Sequence, residues 1–206
     1  KHLLNCADAY AAERGFDVVE QGGEHYTWVL SRLAIELEDL PSCHESFSIQ
    51  TWVENVYRLF ADRNFVICNK DEKPIGYVRS VWAMISMETR NPANLLGLYG
   101  DRITNSICEK ECPIAKPGRI KVSQQEAVSE YVAKYSDLDI NGHVNSIKYI
   151  EHILDIFPLA TFKKRDLKRF EIAYVAESYY NDVLSFYVEE KNENEYDVEI
   201  KKNNQE

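Results

Sequence analysis

The densest group of residues able to do chemistry is the run Ser136-Asp137-Leu138-Asp139-Ile140-Asn141-Gly142-His143-Val144-Asn145. Asn141 offers an amide that both donates and accepts hydrogen bonds. His143 offers a ring that changes protonation near neutral pH. The run lies between a predicted strand and the predicted helix with the widest apolar stripe, so its last residues are expected to form that helix's first turn. Free N–H groups and the positive end of the helix dipole meet at such a place, and an oxygen gaining negative charge would be stabilised there. Ordinary turn chemistry accounts for the same residues, because Asp, Asn and Gly cap helices and Asn-Gly is a frequent turn dipeptide. Spacing alone does not choose between the two.

The elements that must position this run are readable from periodicity. Over residues 144–157, Val144, Ile147, Ile150, Leu154 and Phe157 recur at helical spacing opposite Asn145, Lys148, His152 and Asp155. Tyr149, Ile153 and Ile156 widen the apolar stripe, which predicts a helix largely wrapped by a sheet. Residues 127–135 ahead of the run, and 170–176 and 183–189 after the helix, read as strands. A last strand carries Tyr196, Val198 and Ile200 in strict alternation with Asp197, Glu199 and Lys201. The chain's other half begins with a helix over residues 1–14, with Leu3, Ala7, Tyr10 and Ala11 at helical spacing and Gly15 as its stop. Strands at 26–38, 45–54, 56–69 and 76–87 follow, which predicts an antiparallel meander. Residues 91–118 lose the periodicity and hold three of the six prolines, so they read as a connection. The fold class expected is therefore α+β, with the order helix-then-strands repeated in two units.

Composition narrows the function classes. The chain has 206 residues, 45% of them apolar and 28% charged, which suits one large globular domain or two small ones. With 34 acidic against 24 basic residues the net charge is −10, which disfavours bulk nucleic-acid binding. No run of about 18 apolar residues predicts a membrane span, and Lys1 is not followed by a charged-then-apolar leader. Five cysteines at irregular spacing (Cys6, Cys43, Cys68, Cys108, Cys112) read as reduced thiols. Cys108 and Cys112 lack a second ligand pair, His2, His25, His44 and His152 are scattered, and no glycine-rich phosphate loop occurs, so neither metal nor cofactor is expected.

The run from Asp137 to Asn145, continuing into Lys148-Tyr149-Ile150, resembles the active-site segment of the acyl-acyl carrier protein thioesterases, double hotdog-fold enzymes of plants and bacteria. Thr27-Trp28-Val29-Leu30-Ser31-Arg32 resembles a first-half strand of that family, and Thr51-Trp52-Val53 and Ser80-Val81-Trp82-Ala83-Met84 its next strands. The likeness covers about residues 26–188. It implies two tandem hotdog units, each an antiparallel sheet wrapped around a helix: residues 1–100 binding the acyl chain, a linker at 101–118, and a catalytic unit at 119–206. Both ends look trimmed against the family, which has a strand before the first helix and one more strand where residues 201–206 are polar. A bacterial cytoplasm, or a plastid stroma for a plant chain, is the compartment implied.

The same resemblance assigns the family's catalytic Asp, Asn and His to Asp139, Asn141 and His143, and its Glu to Glu177, at the end of the strand after the helix. One scheme for the family uses a Cys beside that Glu as nucleophile; here Ser178 stands there, which argues against an obligatory thiolate. The implied reaction is hydrolysis of a fatty acyl thioester. Glu177 acts as general base on water, or as a nucleophile forming an anhydride, with Asn141 and His143 placing the water and carbonyl. Asp139 orients them, and amides near residues 142–144 supply oxyanion donors.

Trp28, Trp52, Trp82 and Met84 are candidates to line the acyl tunnel, although apolar strand residues ordinarily just pack. The implied partner, acyl carrier protein, is acidic, so a net −10 chain needs a local basic face to meet it. Lys163, Lys164, Arg165, Lys168 and Arg169 place five basic residues in seven, equally readable as a solvated loop. An acyl-CoA thioesterase, a hydroxyacyl dehydratase and a catalytically silent acyl-binding protein are the competing readings, and homodimerisation is left open.

Overall fold

The computed structural model describes residues 1–17 and 19–203; residues 204–206, the end of the expected catalytic unit and of its polar tail, lie outside them. The chain divides into two units, Lys1–Pro117 with Leu167–Ala173, and Gly118–Asp166 with Tyr174–Glu206.

In the first unit, α1 (His2–Glu13) precedes β1 (Val19–Gln21), β2 (Glu24–Leu37), β3 (Ser48–Val56), β4 (Phe60–Cys68) and β5 (Pro74–Ser86). Two short helices, α2 (Leu95–Tyr99) and α3 (Asp101–Thr104), follow. Ala7 and Ala11 are the buried residues of α1; their small side chains let the helix approach the sheet closely, against Phe65, Val78 and Trp82 on one side and Phe16 and Met84 on the other. The helix ends before Gly15, which takes a left-handed φ of 65°. The sheet order is β1-β2-β5-β4-β3, so only β3-β4-β5 is the expected meander; β2 joins β5 rather than β3.

The stretch expected as a bare connection is folded onto this sheet. Cys112 and Ile114 are buried against Trp52, Val66 and Cys68. The Arg79 guanidinium donates to the Cys112 and Ile114 carbonyls, and Trp52 Nε1 donates to the Lys110 carbonyl at 2.7 Å. The apolar back face of the strands needed a cover, and this segment supplies it.

The strand expected at 170–176 in the second half is β7 (Arg169–Ala173), and it pairs with β2 in the first unit, Arg32 opposite Ala173 through Glu36 opposite Arg169. β2 is 14 residues long and β1 covers only its beginning, so the end of that edge still has backbone groups to satisfy. Arg169 also pairs with Glu36 and Glu171 there.

The second unit contains β6 (Ser129–Val132), α4 (Ser146–Asp155), α5 (Leu159–Lys164), β8 (Val183–Asn192) and β9 (Glu195–Asn203). Its sheet runs β6-β8-β9, with Leu184 and Phe186 buried. The Tyr131 ring on β6 meets His152 of α4 at a tilt, and Phe157 just past α4 packs on Tyr196 of β9. None of the residues in α4 is buried, however. Most of them are half-buried, and three strands lie in the unit's sheet because β7 pairs elsewhere.

Among the described residues, no helix is long and apolar enough to cross a membrane, and no group of three or more His, Cys, Asp or Glu side chains could hold a metal ion.

Candidate active site

The run singled out from the sequence forms a closed loop between β6 and α4. Tyr135, Ser136 and Asp137 make one 3-10 turn, and Leu138 bridges Val144. Between them Asp139 N donates to the His143 carbonyl at 2.8 Å and Gly142 N to the Asp139 carbonyl at 3.1 Å. Gly142 holds a left-handed φ of 81°, which explains a glycine at this corner. The Asp139 carboxylate accepts the backbone N–H groups of Asn141 and His143, at 2.8 and 3.1 Å. It therefore holds the loop backbone, where the sequence reading has it orient the Asn141 and His143 side chains.

The loop is held from behind by Asp137, which is 3% exposed. Its carboxylate accepts the Tyr131 hydroxyl and the Lys134 N–H, both at 2.8 Å, and Oδ1 lies 3.3 Å from His152 Nε2. Burial by itself would raise this carboxyl, but these donors and the adjacent imidazole hold it below its ordinary value. Burial, reinforced by the bond to Asp137, pushes the Tyr131 hydroxyl up to about 12.

A second segment comes alongside the loop. Val144 N donates to the Ser178 carbonyl at 2.8 Å, and His143 bridges Tyr179. This register brings His143 Nε2 to 3.5 Å from Glu177 Oε2, with the side chains 22% and 38% exposed. The Tyr179 hydroxyl donates to the same Glu177 oxygen at 3.3 Å, and its ring meets His143 edge-on at 5.2 Å. Lys202 Nζ donates to the Glu177 carbonyl. A carboxylate beside an imidazole, both reachable by water, can take a proton from that water and keep the resulting charge distribution in place.

Of the four expected catalytic residues, the structure pairs His143 with Glu177 and sets Asp139 under the loop. The Asn141 side chain is exposed and makes no hydrogen bond to the described residues. The expected oxyanion amides are corrected. Helix α4 begins only at Ser146, capped by Asn145. The N–H groups of Gly142, His143 and Val144 are taken by Asp139 and Ser178. Tyr179, Lys202 and the Asp137–His152 pair were not foreseen. Only His152 had a signal, as a histidine on the polar stripe of the helix following an aspartate-rich loop.

In the first unit a cavity lies between α1 and the sheet, lined by Ala11, Phe16, Trp28, Val53, Trp82 and Ile103 among others. Trp28 and Trp82 are thus at a cavity wall. Val53 lines it too, so its neighbour Trp52 points to the opposite face, where it packs on Cys112 and Ile114. Met84 is fully buried beside Tyr99 and Leu95 and is not part of the lining. Of the basic run, Arg165 is held by Glu193, Lys168 Nζ donates to the Glu38 carbonyl, and Arg169 is bound by Glu36 and Glu171. Lys163 and Lys164, in the last turn of α5, are exposed and have no partner among the described residues.

The chain matches the acyl-ACP thioesterase N-terminal domain over residues 1–99 and the acyl-ACP thioesterase C-terminal domain over residues 120–206. It is also 58% identical to an acyl-ACP thioesterase from Bacteroides thetaiotaomicron, whose crystal structure superposes with a TM-score of 0.91 over 100% of this chain and 83% of that one. The chain belongs to the acyl-ACP thioesterase family. Its fold is accordingly the α+β double hotdog. The 12:0-ACP thioesterase of Umbellularia californica, 17% identical, shares the fold with a TM-score of 0.80 over 98% of this chain and 82% of that one. A chloroplastic palmitoyl-acyl carrier protein thioesterase of Gossypium hirsutum is 25% identical over 88% of this chain and 46% of its own length. The chain thus spans about half the length of the curated relatives it matches.

Proposed function

We propose that this chain hydrolyses fatty acyl thioesters of acyl carrier protein, with Glu177 as general base. Family membership supports the substrate class, and the observation that carries the residue assignment is Glu177 Oε2 at 3.5 Å from His143 Nε2 on an accessible loop. Glu177 takes a proton from water as the water oxygen attacks the thioester carbonyl carbon. The tetrahedral intermediate collapses by breaking the C–S bond, and the proton passes to the leaving sulfur, releasing fatty acid and carrier thiol. His143 orients the Glu177 carboxylate and the water. The Asn141 amide, uncommitted within the described residues, donates to the carbonyl oxygen as it gains charge, the role first expected of the loop amides.

In this reading the acyl chain lies against the first unit at the small cavity walled by Trp28 and Trp82, whose lining also carries Asp8 and Arg63. Lys163 and Lys164 meet the acidic carrier.

Glu177→Gln should lower thioester hydrolysis by roughly 10²–10⁴-fold, the usual contribution of a general base, while acyl carrier binding persists. Near-normal turnover in that variant would sink the assignment. Parallel assays with carrier-linked and CoA-linked acyl groups separate this activity from that of an acyl-CoA thioesterase.

A further inference from the structure

We propose that Tyr179 is a positioning residue for the Glu177 carboxylate, acting through the hydrogen bond its hydroxyl donates to Oε2. This rests on the reading of Glu177 as general base and adds a residue that the Asp-x-Asn-x-His pattern does not contain.

A glutamate on an irregular segment has three side-chain torsions to fix, and a base that wanders by an ångström loses much of its effect. His143 alone cannot fix it, since 3.5 Å is a loose approach for a charge-assisted bond. Tyr179 donates its hydroxyl to the same oxygen at 3.3 Å. Its own position is determined independently of Glu177. Its backbone bridges His143, and its N–H donates to Asp182 Oδ2 at 2.8 Å. Its ring lies edge-on to the His143 imidazole, and Lys202 Nζ sits 5.4 Å from its centroid on the way to Asp182 Oδ2 at 3.4 Å. Lys202 also donates to the Glu177 carbonyl, so one cation ties down the backbone of the base, the ring beside it and the acid that anchors that ring.

The charged and titratable groups near Glu177 include His143 from the loop, Tyr179 and Asp182 from its own segment, and Lys202 from β9. A hydroxyl donated to a carboxylate favours the ionised form. The hydroxyl thus holds the base both in place and ready to accept a proton, while the ring keeps the imidazole from swinging away.

The test is Tyr179→Phe, which keeps the ring and removes only the hydroxyl. On acyl carrier substrate, kcat should fall roughly tenfold, as for loss of a hydrogen bond to a charged group, with KM within about twofold. The acid limb of the kcat–pH profile should move to higher pH. In Glu177→Gln, adding Tyr179→Phe should cause no further loss, because a residue acting through another is silent once that other is gone. Tyr180→Phe, on the exposed neighbouring residue, serves as the control expected to match the parent chain. Unchanged kcat and an unmoved acid limb in Tyr179→Phe overturn the proposal even if thermal stability drops, and so does an equal loss in the Glu177→Gln background. If Glu177→Gln itself keeps full turnover, the general-base reading falls and Tyr179 falls with it. An inactive Glu177→Gln beside a normal Tyr179→Phe removes Tyr179 alone.

Discussion

His152 Nε2 lies 3.3 Å from Asp137 Oδ1, with side chains only 13% and 3% exposed. The same unit thus holds two acid–histidine pairs, and their exposure separates their roles. Asp137 also takes the Tyr131 hydroxyl and the Lys134 N–H, and its carbonyl accepts Asn145 N, so it joins β6, the 3-10 turn, the start of α4 and His152 near that helix's end. A carboxylate so enclosed is a fastener. The His143–Glu177 pair hangs in front of it on the loop between Leu138 and Val144, where water and substrate can reach.

That division predicts a pH-dependent loss of stability on replacing Asp137. The folded chain holds this carboxyl below its ordinary 3.8. Its contribution is complete above that pH and is lost as pH falls through the lower folded value. Asp137→Asn should cost about 2 kcal/mol at neutral pH, the scale of hydrogen bonds to a charged group. The gap from the parent chain should narrow as pH falls below about 4. Urea unfolding at a series of pH values measures it, and a gap constant with pH would show that the carboxylate's charge contributes nothing.

Gly142 supports a sharper distinction between stability and activity. An added Cβ would meet nothing within 4 Å, yet φ is 81°. Gly142→Ala therefore costs about 1 kcal/mol of conformational strain with no steric clash. Relief of that strain means rotating the corner that hands His143 N to Asp139. Turnover should fall at least about tenfold, since small misplacements of catalytic groups are expensive, while the melting temperature moves by only a few degrees. Full turnover would mean that the loop does not depend on this corner.

Much of this was legible in advance, and the gaps have physical causes. The strand at 183–189 and the alternation of Tyr196, Val198 and Ile200 were readable because runs of β-branched and aromatic residues suit extended chain, and both form strands. The partner of β7 was not, because alternation identifies a strand and says nothing about which edge is open; the length of β2 decided that. Periodicity ran on to Val144 because Val144 is buried, but the helix starts after Asn145, whose side chain caps Ile147 N. That displacement removed the expected oxyanion amides. Glu177 was reached only through family resemblance, and Tyr179 had no signal at all, since its contact with Glu177 depends on a backbone bridge to a residue 36 positions earlier.

Ser178 separates a base from a nucleophile. It stands beside Glu177 but is 4% exposed, and its carbonyl accepts Val144 N. A buried hydroxyl with no base hydrogen-bonded to it among the described residues is a poor nucleophile. Ser178→Ala should keep kcat within about threefold, the change expected of a packing residue rather than a reacting one. Loss of several hundredfold would revive a covalent route.

The basic run predicts two different phenotypes from substitutions of the same chemical kind. Arg169 is engaged by Glu36 and Glu171 across the β2–β7 pairing, so Arg169→Glu places three carboxylates together and should unfold the first unit at lower temperature. Lys163 and Lys164 have no such partners among the described residues, and reversing them should leave the melting temperature unchanged. If they meet an acidic carrier, Lys163→Glu with Lys164→Glu should lower kcat/KM for carrier-linked substrate roughly tenfold at low salt, through slower association. The difference should shrink as salt rises and the Debye length falls below about 8 Å. Kinetics on carrier-linked and CoA-linked substrate across a salt series decide it: an equal loss on both substrates at all salt concentrations would place these lysines outside the carrier interface, because a screened long-range attraction cannot be independent of salt.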